Sequence, residues 1–377
     1  MLRSSATEAV STRVKTTHTG SLPRPEALIE SGVLEPDVVT GAVVDLVRHQ
    51  VEIGIDVVGD GEAGKPSYAT YVVDRLAGFG GSEPVPPARG RADLEDFPSY
   101  RAWRAGRDAG GGGLPETLPV CTGPVSYAGH RLLAKQLADL SAATGVAGVE
   151  LAFATAASPG LIERFMRNRY YASVTEYLGA LADAMKVEYD AIVAAGFQLQ
   201  IDCPDLTAGW NARTGDLAAH RRLVSERLEM IDHATRDIPP ERIRLHICWG
   251  NYEGPHHHDI PLVDIIDLLV GARPGALSFE AANPRHEHEW EIFESRPIPD
   301  DQVLIPGVLD STTNYIEHPR LVAQRIGRYT RLVGSDRVLA GTDCGFATFG
   351  VSGSVAPDIA WAKLATLAEG ADLAAGA

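Results

Sequence analysis

The chain has 377 residues, 45% of them hydrophobic, and a formal net charge of −16. That acidity excludes binding to a phosphate backbone, which needs a surplus of Lys and Arg, and no run reaches the roughly 20 apolar residues of a membrane span. The 4 cysteines in a chain of this length form no disulfide framework, so a reduced, cytoplasmic setting is expected.

Residues 1–13 are polar and rich in Ala, Ser and Thr, and they predict a disordered tail with no secretory leader. From residue 14 onward short apolar segments alternate with longer helical ones, the rhythm of a parallel β/α sheet. The strand candidates in chain order are Lys15–Ser21, Ile55–Glu62, Leu118–Ser126, Gln198–Asp205, Ile243–Gly250, Ala276–Ala281, Val303–Asp310 and Val338–Phe346. Helical patterns fall between them. In Val174–Ala195 the residues Val174, Tyr177, Leu178, Leu181, Met185 and Ile192 form one stripe. Strand–helix units repeated across residues 14–377 predict one domain with an α/β fold, a TIM (β/α)8 barrel whose active site sits at the C-terminal strand ends. A doubly wound open sheet is the alternative, but no G-x-G-x-x-G opens the first helix.

Two stretches exceed a minimal barrel. Residues 80–117 are rich in Pro and Gly and carry Phe97, Tyr100 and Trp103. They read as an excursion before the third strand, either a lid over the site or a contact between copies in a homo-oligomer. Val149–Gly160 is apolar and ends in Ala-Ala-Ser-Pro-Gly, which reads as an extra strand and a substrate loop.

Polar and thiol groups gather at the strand ends: Gly20-Ser21, Asp60-Gly61-Glu62, Cys121-Thr122-Gly123-Pro124, Asp202-Cys203-Pro204-Asp205, His246 with Cys248, Glu280, Asp310 and Asp343-Cys344. Each carboxylate alone could be a helix cap. All four cysteines fall at such ends. Along Ile243–Trp249, alternation puts His246 and Cys248 on one face and Ile243, Leu245, Ile247 and Trp249 on the other. An imidazole and a thiolate side by side on a strand, completed by Cys344 from another strand end, are the ligands zinc prefers. The competing reading is three ordinary buried residues. His256-His257-His258 lies between Gly254-Pro255 and Asp259 and reads as a solvated turn, with an accessory metal site as the alternative. His286 and His288 read the same way. His18 either faces the pocket or packs.

From Thr17-His18-Thr19-Gly20-Ser21-Leu22-Pro23 to Thr342-Asp343-Cys344-Gly345, the chain resembles the cobalamin-independent methionine synthase superfamily. That superfamily includes short single-barrel homologues and the epoxyalkane:coenzyme M transferases. The resemblance implies a barrel holding zinc at its strand ends, with a substrate thiol bound to the metal. His246 and Cys248 match the His-x-Cys ligand pair, and Cys344 matches the ligand cysteine of the Asp-Cys-Gly motif. Glu280, ending Leu-Ser-Phe-Glu, matches the exchangeable carboxylate ligand. Ser21 matches the serine that meets an amino-acid carboxylate, and Glu62 and Asp202 match acids that hold its ammonium. An anionic pair offsets desolvation of such a cation, whereas a sulfonate thiol would call for basic residues. Asp310 and Glu280 are the candidate catalytic carboxylates.

Three departures point away from folate as the methyl donor. Asp202-Cys203-Pro204-Asp205 lacks the glutamate of the family's Asp-Glu-Pro-Ala. His130 stands where a tryptophan would stack on the folate ring. Thr312 stands where a histidine would deliver a proton, a task for a group that titrates near neutrality. The expected activity is zinc-dependent transfer of a methyl or other alkyl group to a small-molecule, homocysteine-like thiol, giving a thioether. Epoxide opening by a zinc-bound thiolate is the alternative, and a zinc hydrolase using metal-bound hydroxide is a further one.

Overall fold

The computed structural model describes residues 13–31, 34–84, 92–107, 116–210, 215–348 and 353–375. Its strands in chain order are β1 (Lys15–Thr16), β2 (Val58–Gly59), β3 (Leu76–Pro84), β4 (Thr117–Tyr127), β5 (Ala152–Ala157), β6 (Gln198–Asp202), β7 (Ile243–His246), β8 (Ala276–Glu280), β9 (Val303–Leu309) and β10 (Leu339–Thr342). An 8-stranded sheet runs in the order β1-β10-β9-β8-β7-β6-β5-β2, with every neighbouring pair parallel. A parallel bridge between Thr17 and Val57, with the Val57 N–H donating to the Thr16 carbonyl at 2.9 Å, brings the two ends together. The sheet therefore curls on itself in a way consistent with a TIM-like barrel.

Parallel strands need long crossovers, and helices supply them. Pro36–Glu52 joins β1 to β2, Val174–Ala194 joins β5 to β6, Leu217–Ala234 joins β6 to β7, and Pro319–Val333 joins β9 to β10. Their starts are fixed locally. Ser173 accepts from the Glu176 N–H and Asp216 from the Ala219 N–H, satisfying donors that the first turn leaves open. Their apolar stripes then close on the sheet, with Tyr177, Leu181, Met185 and Ile192 buried along Val174–Ala194. Among the described residues no helix is long and apolar enough to cross a membrane.

One strand assignment is corrected. Leu118–Ser126 does not enter the parallel sheet; it lies in β4, which pairs antiparallel with β3 in a separate hairpin. The third strand of the ring is β5, inside the stretch read as an extra strand. The burial patterns give the reason. Every residue of β5 is buried, as a strand covered on both faces requires. The outer half of β4 alternates between exposed and half-buried, as a one-sided hairpin does. Glu188, buried on the helix before β6, anchors this hairpin by accepting from Tyr71 (2.8 Å), Tyr127 (2.7 Å) and Arg75 (3.2 Å). Between β3 and β4 the short helices Ala92–Asp96 and Pro98–Arg107 reach the loop after β7, where the Tyr100 hydroxyl donates to the Glu253 carbonyl at 2.5 Å.

Glycines let β9 and β10 approach. A Cβ on Gly307 would lie 2.4 Å from the Asp343 Cα and 2.5 Å from its N. Gly307→Ala is therefore expected to destabilise the fold by about 1–3 kcal/mol, the usual cost of overpacking a core. Gly41→Ala on the helix Pro36–Glu52, where an added Cβ meets nothing within 4 Å, is expected to be neutral or stabilising. Urea unfolding of the two variants checks the contrast, and equal midpoints would refute the close approach.

Candidate metal centre and acceptor pocket

β7 delivers His246 at its end, and the Ile247 N–H donates to the Ser278 carbonyl at 2.9 Å, so the chain stays beside β8 as far as Cys248. β10 delivers Asp343 and Cys344. The Asp343 Oδ1 accepts from the Ala281 and Ala282 N–H groups at 2.8 and 2.9 Å, hooking the end of β10 across the end of β8. Gly345 has no room for a side chain, since a Cβ there would lie 2.1 Å from the Ser21 Oγ.

The result is a buried trio. Ligand atoms of His246, Cys248 and Cys344 all lie within 4.8 Å of one another. The Cys248 and Cys344 sulfurs are 3.7 Å apart, and both cysteines are free. A tetrahedral zinc with Zn–S bonds of about 2.3 Å holds its sulfurs about 3.8 Å apart, so the trio fits such an ion. The His246 ring is neutral near pH 7, its pKa lowered to about 3 by burial and then by the charge of Arg244. Its Nδ1 is buried without a hydrogen-bond partner. The Cys248 thiol is raised well above its ordinary value, first by its hydrogen bond with Cys344 and then by burial, against the Gly250 N–H that donates to it at 3.2 Å. Binding of a divalent cation there would displace the Cys248 proton.

The other candidates are distributed around this trio. Glu280 stays outside it, its Oε1 accepting from the Trp249 N–H at 2.8 Å and its Oε2 from the Asn283 amide at 2.9 Å. Cys121 lies in β4, and the Cys203 Sγ turns to the Ile201 carbonyl at 3.4 Å. The gathering of all four cysteines at ring strand ends is therefore corrected to three, since Cys203 directly follows β6, and only Cys248 and Cys344 join the trio. Asp310 closes a turn, its Oδ1 accepting from the Thr312 N–H and Oγ1 at 3.0 and 2.7 Å and its Oδ2 from the Thr313 N–H at 2.8 Å. His18 is fixed at both nitrogens, with Nε2 on the Gln50 amide oxygen at 2.9 Å and Nδ1 accepting from the Gly20 N–H at 3.1 Å.

Ser21 adjoins the trio through Gly345, and its Oγ accepts from the Ala347 N–H at 3.2 Å. The Glu62 backbone is left-handed at φ 58°, and its Oε1 accepts from the Thr155 Oγ1 at 2.6 Å. Asp202 accepts from the Gln200 amide at 2.9 Å. Burial and then the charge of Glu62 push its carboxyl up to about 8, against Gln200, Lys65 and Arg244. Two buried acids therefore lie within electrostatic reach of each other. Sequence reasoning passed over Tyr68. Its hydroxyl is raised by burial and then by Cys248, Cys344 and Asp202, against Arg164, so it is within electrostatic reach of the trio and of Asp202. No motif marks it. Asp343 was noted only as a strand end, yet its Oδ2 is buried without a partner and it is held well above the carboxylate range by burial, Glu280 and Asp310.

The reading of His256 and His286 as solvated is corrected, because both are buried. Asp259 Oδ2 joins them, at 2.5 Å from the His256 Nδ1 and 3.2 Å from the His286 Nε2, and His286 also pairs with Glu289 at 2.8 Å and stacks on Trp249.

No family model matches the chain. It is 25% identical over 368 residues to 2-hydroxypropyl-CoM lyase of Xanthobacter autotrophicus, covering 87% of this chain and 83% of that protein. It is 23% identical over 346 residues to a methionine synthase of Sulfolobus acidocaldarius, covering 89% and 86%. Its fold matches that of a B12-independent methionine synthase from a Shewanella species, solved with selenomethionine, at a TM-score of 0.71 and 17% identity, over 96% of this chain and 97% of that one. A putative vitamin-B12 independent methionine synthase from Listeria monocytogenes follows at 0.62 and 18% identity, over 96% and 98%. The resemblance drawn from the motifs holds: the chain's relatives carry the names methionine synthase and 2-hydroxypropyl-CoM lyase.

His286 generates a pH prediction. Burial opposes its charge, but Asp259, Glu289 and Glu280 prevail and lift it from 6.5 to about 10. A folded pKa above the unfolded one contributes stability in full below 6.5, and that contribution is lost as pH rises through about 10. Unfolding free energy should fall over that window in the wild type and fall less in His286→Gln. Parallel pH profiles of the two proteins would refute the assignment.

Proposed function

We propose that this chain transfers a methyl or other alkyl group to an amino-acid thiol, forming a thioether, with zinc held by His246, Cys248 and Cys344. The observation that carries the reading is the sulfur pair 3.7 Å apart beside a neutral imidazole. The names of the relatives support methyl transfer to a thiol. Zinc bound there would hold the acceptor sulfur as thiolate at pH 7, where a free thiol with a pKa of about 8.5 is only a few per cent ionised.

The chain's own residues supply the rest. Glu62 and Asp202 receive the acceptor's ammonium, whose charge relieves the repulsion that raises Asp202. Ser21 lies where the acceptor's carboxylate would meet a hydroxyl. Glu280, held aside by Trp249 and Asn283, leaves the fourth ligand position beside the trio to the thiol and would reach it only by giving up those hydrogen bonds. A sulfur–carbon bond forms as the carbon–leaving-group bond breaks, and the electron pair departs with the leaving group.

Two thiolates lower the Lewis acidity that water activation needs, which disfavours a hydrolase. A sulfonate thiol is the second reading, because Lys65 and Arg244 are buried within electrostatic reach of Asp202. Lys65 is committed to the Thr155 carbonyl and hydroxyl at 2.7 Å each, which favours the ammonium.

Elemental analysis should find one zinc fewer per chain in Cys248→Ala and Cys344→Ala than in the wild type, because two remaining ligands cannot satisfy a tetrahedral ion. Glu280→Gln should retain most of it. Full zinc in either cysteine variant would remove the basis of the proposal.

Asp202→Asn should raise the apparent KM for homocysteine roughly tenfold to a hundredfold, the worth of a charge-assisted hydrogen bond of about 1.5–3 kcal/mol. It should change little for mercaptopropionate, which lacks the amine. Equal losses for both thiols would sink the amino-acid acceptor and favour the epoxide-opening reading.

A further inference from the structure

Outside the trio, histidines and acids converge where the helix Ala92–Asp96 meets the loop after β7. The His257 Nε2 and His258 Nε2 lie 3.1 and 2.5 Å from one oxygen, Oδ2 of Asp96. The rings stand 4.1 Å apart at 37°, and the three ligand atoms lie within 4.8 Å of one another. We propose that Asp96, His257 and His258 form a second metal site, distinct from the reaction centre, which binds a divalent transition-metal ion of the zinc or nickel type and fastens the insert between β3 and β4 to the rim.

Backbone geometry makes the arrangement possible. His256 adopts φ 54° and turns inward to Asp259 and the Tyr252 carbonyl, leaving the next two rings on the outer side. Nitrogen and oxygen ligands of zinc, bound at about 2.0–2.1 Å, stand about 3.3–3.4 Å apart in a tetrahedron. The His257 pair is near that spacing, and the His258 pair reaches it by opening less than about 1 Å. A second observation points the same way. The Nδ1 of His257 is buried without a hydrogen bond, and it lies 3.1 Å from the Asp93 Oδ1. A carboxylate behind the far nitrogen is how a metal-bound imidazole is oriented. Asp93 is itself fixed, accepting from the Tyr252 hydroxyl at 3.1 Å and the His258 N–H at 2.8 Å. With neutral imidazoles, two carboxylates give the cluster a net negative charge. Its sulfur-free donors suit zinc, nickel or cobalt over soft ions. All three ligand side chains are partly exposed, so water can complete the coordination.

The test is titration of the full-length apoprotein with cobalt(II). The trio should give an intense near-ultraviolet sulfur-to-cobalt band with the first equivalent. The second site should take a further equivalent with only weak visible bands. Asp96→Asn keeps a hydrogen-bond acceptor for both rings but should weaken the second equivalent at least tenfold, leaving the sulfur band unchanged. A His257→Ala/His258→Ala double variant should abolish it. Asp93→Asn should weaken it roughly tenfold to a hundredfold, as loss of an orienting carboxylate does. Zinc should also slow tryptic cleavage at Arg101 and Arg104 in the wild type and not in Asp96→Asn. A wild type that takes up only the sulfur-banded equivalent would overturn the proposal, as would a second equivalent that survives intact in the double variant. Loss of the sulfur band alone would count against the thiol chemistry and leave this site standing.

Discussion

Everything at the mouth of the barrel depends on holding two sulfurs 3.7 Å apart across 96 residues of chain. Neither β7 nor β10 could do this alone, since two strands, β8 and β9, lie between them in the sheet. The ring fixes their relative height through the registers Leu245↔Leu277, Leu277↔Leu304 and Gly341↔Gly307. Asp343 then completes the placement. Its Oδ1 binds two consecutive peptide N–H groups after β8, and the space left by Gly307 admits its backbone. The register shift between Gly341 and Thr342 redirects the chain so that Cys344 follows immediately. A one-residue slip in β10 would turn the sulfur to the other face.

Much of this is legible in the sequence, and the failures have physical causes. Strands of the ring announce themselves as short apolar runs, and alternation along Ile243–Trp249 separates His246 and Cys248 from the outward residues. The run Leu118–Ser126 carries the same local signal because hairpin and barrel strands share residue preferences. What distinguishes them is coverage of both faces. Ala152–Ala157, all small or apolar and all buried, shows that signature more cleanly than β4 does. The histidines failed differently. Gly254-Pro255 does mark a turn, but the partners that bury His256 and His286 are set by the fold: Asp259 serves both rings, and Trp249 stacks on one. Local composition carries no trace of such partnerships. Tyr68 was invisible for the same reason.

The partnering of buried carboxylates is uneven near the sulfur pair. Away from the mouth, carboxylates are saturated: Glu188 has three donors, and Glu317 holds the buried Lys363 at 2.7 Å. Such groups cost little beyond their desolvation, which good geometry offsets. At the mouth Glu280 and Asp310 are also fully bonded, but other groups are not. Among the described residues, the buried carboxylate oxygen without a partner is Asp343 Oδ2, and His246 Nδ1 and Arg244 Nε share that condition nearby. Asp202 and Glu62 repel each other. A native fold keeps such groups where something else completes them. The proposed cation at the trio and ammonium between the acids would supply partners of the right charge for these atoms.

The loop after β7 is where the separate parts meet. It follows directly from Cys248, and its Asn251 amide donates to the Gly345 carbonyl at 2.7 Å, one residue beyond Cys344. The same Asn251 accepts from the Ser311 hydroxyl at 2.9 Å, beside Asp310 after β9. One side chain therefore ties together the ends of three strands that carry candidate site residues. Tyr252 and Glu253, next along the loop, carry the contacts to the insert through Asp93 and Tyr100. Tyr252 is four residues from Cys248 and is buried, with its hydroxyl on Asp93 of the insert. An ion bridging Asp96 to His257 and His258 would tether the insert to this loop with directional bonds, while the Asn251 hydrogen bonds hold the strand ends that carry the sulfurs.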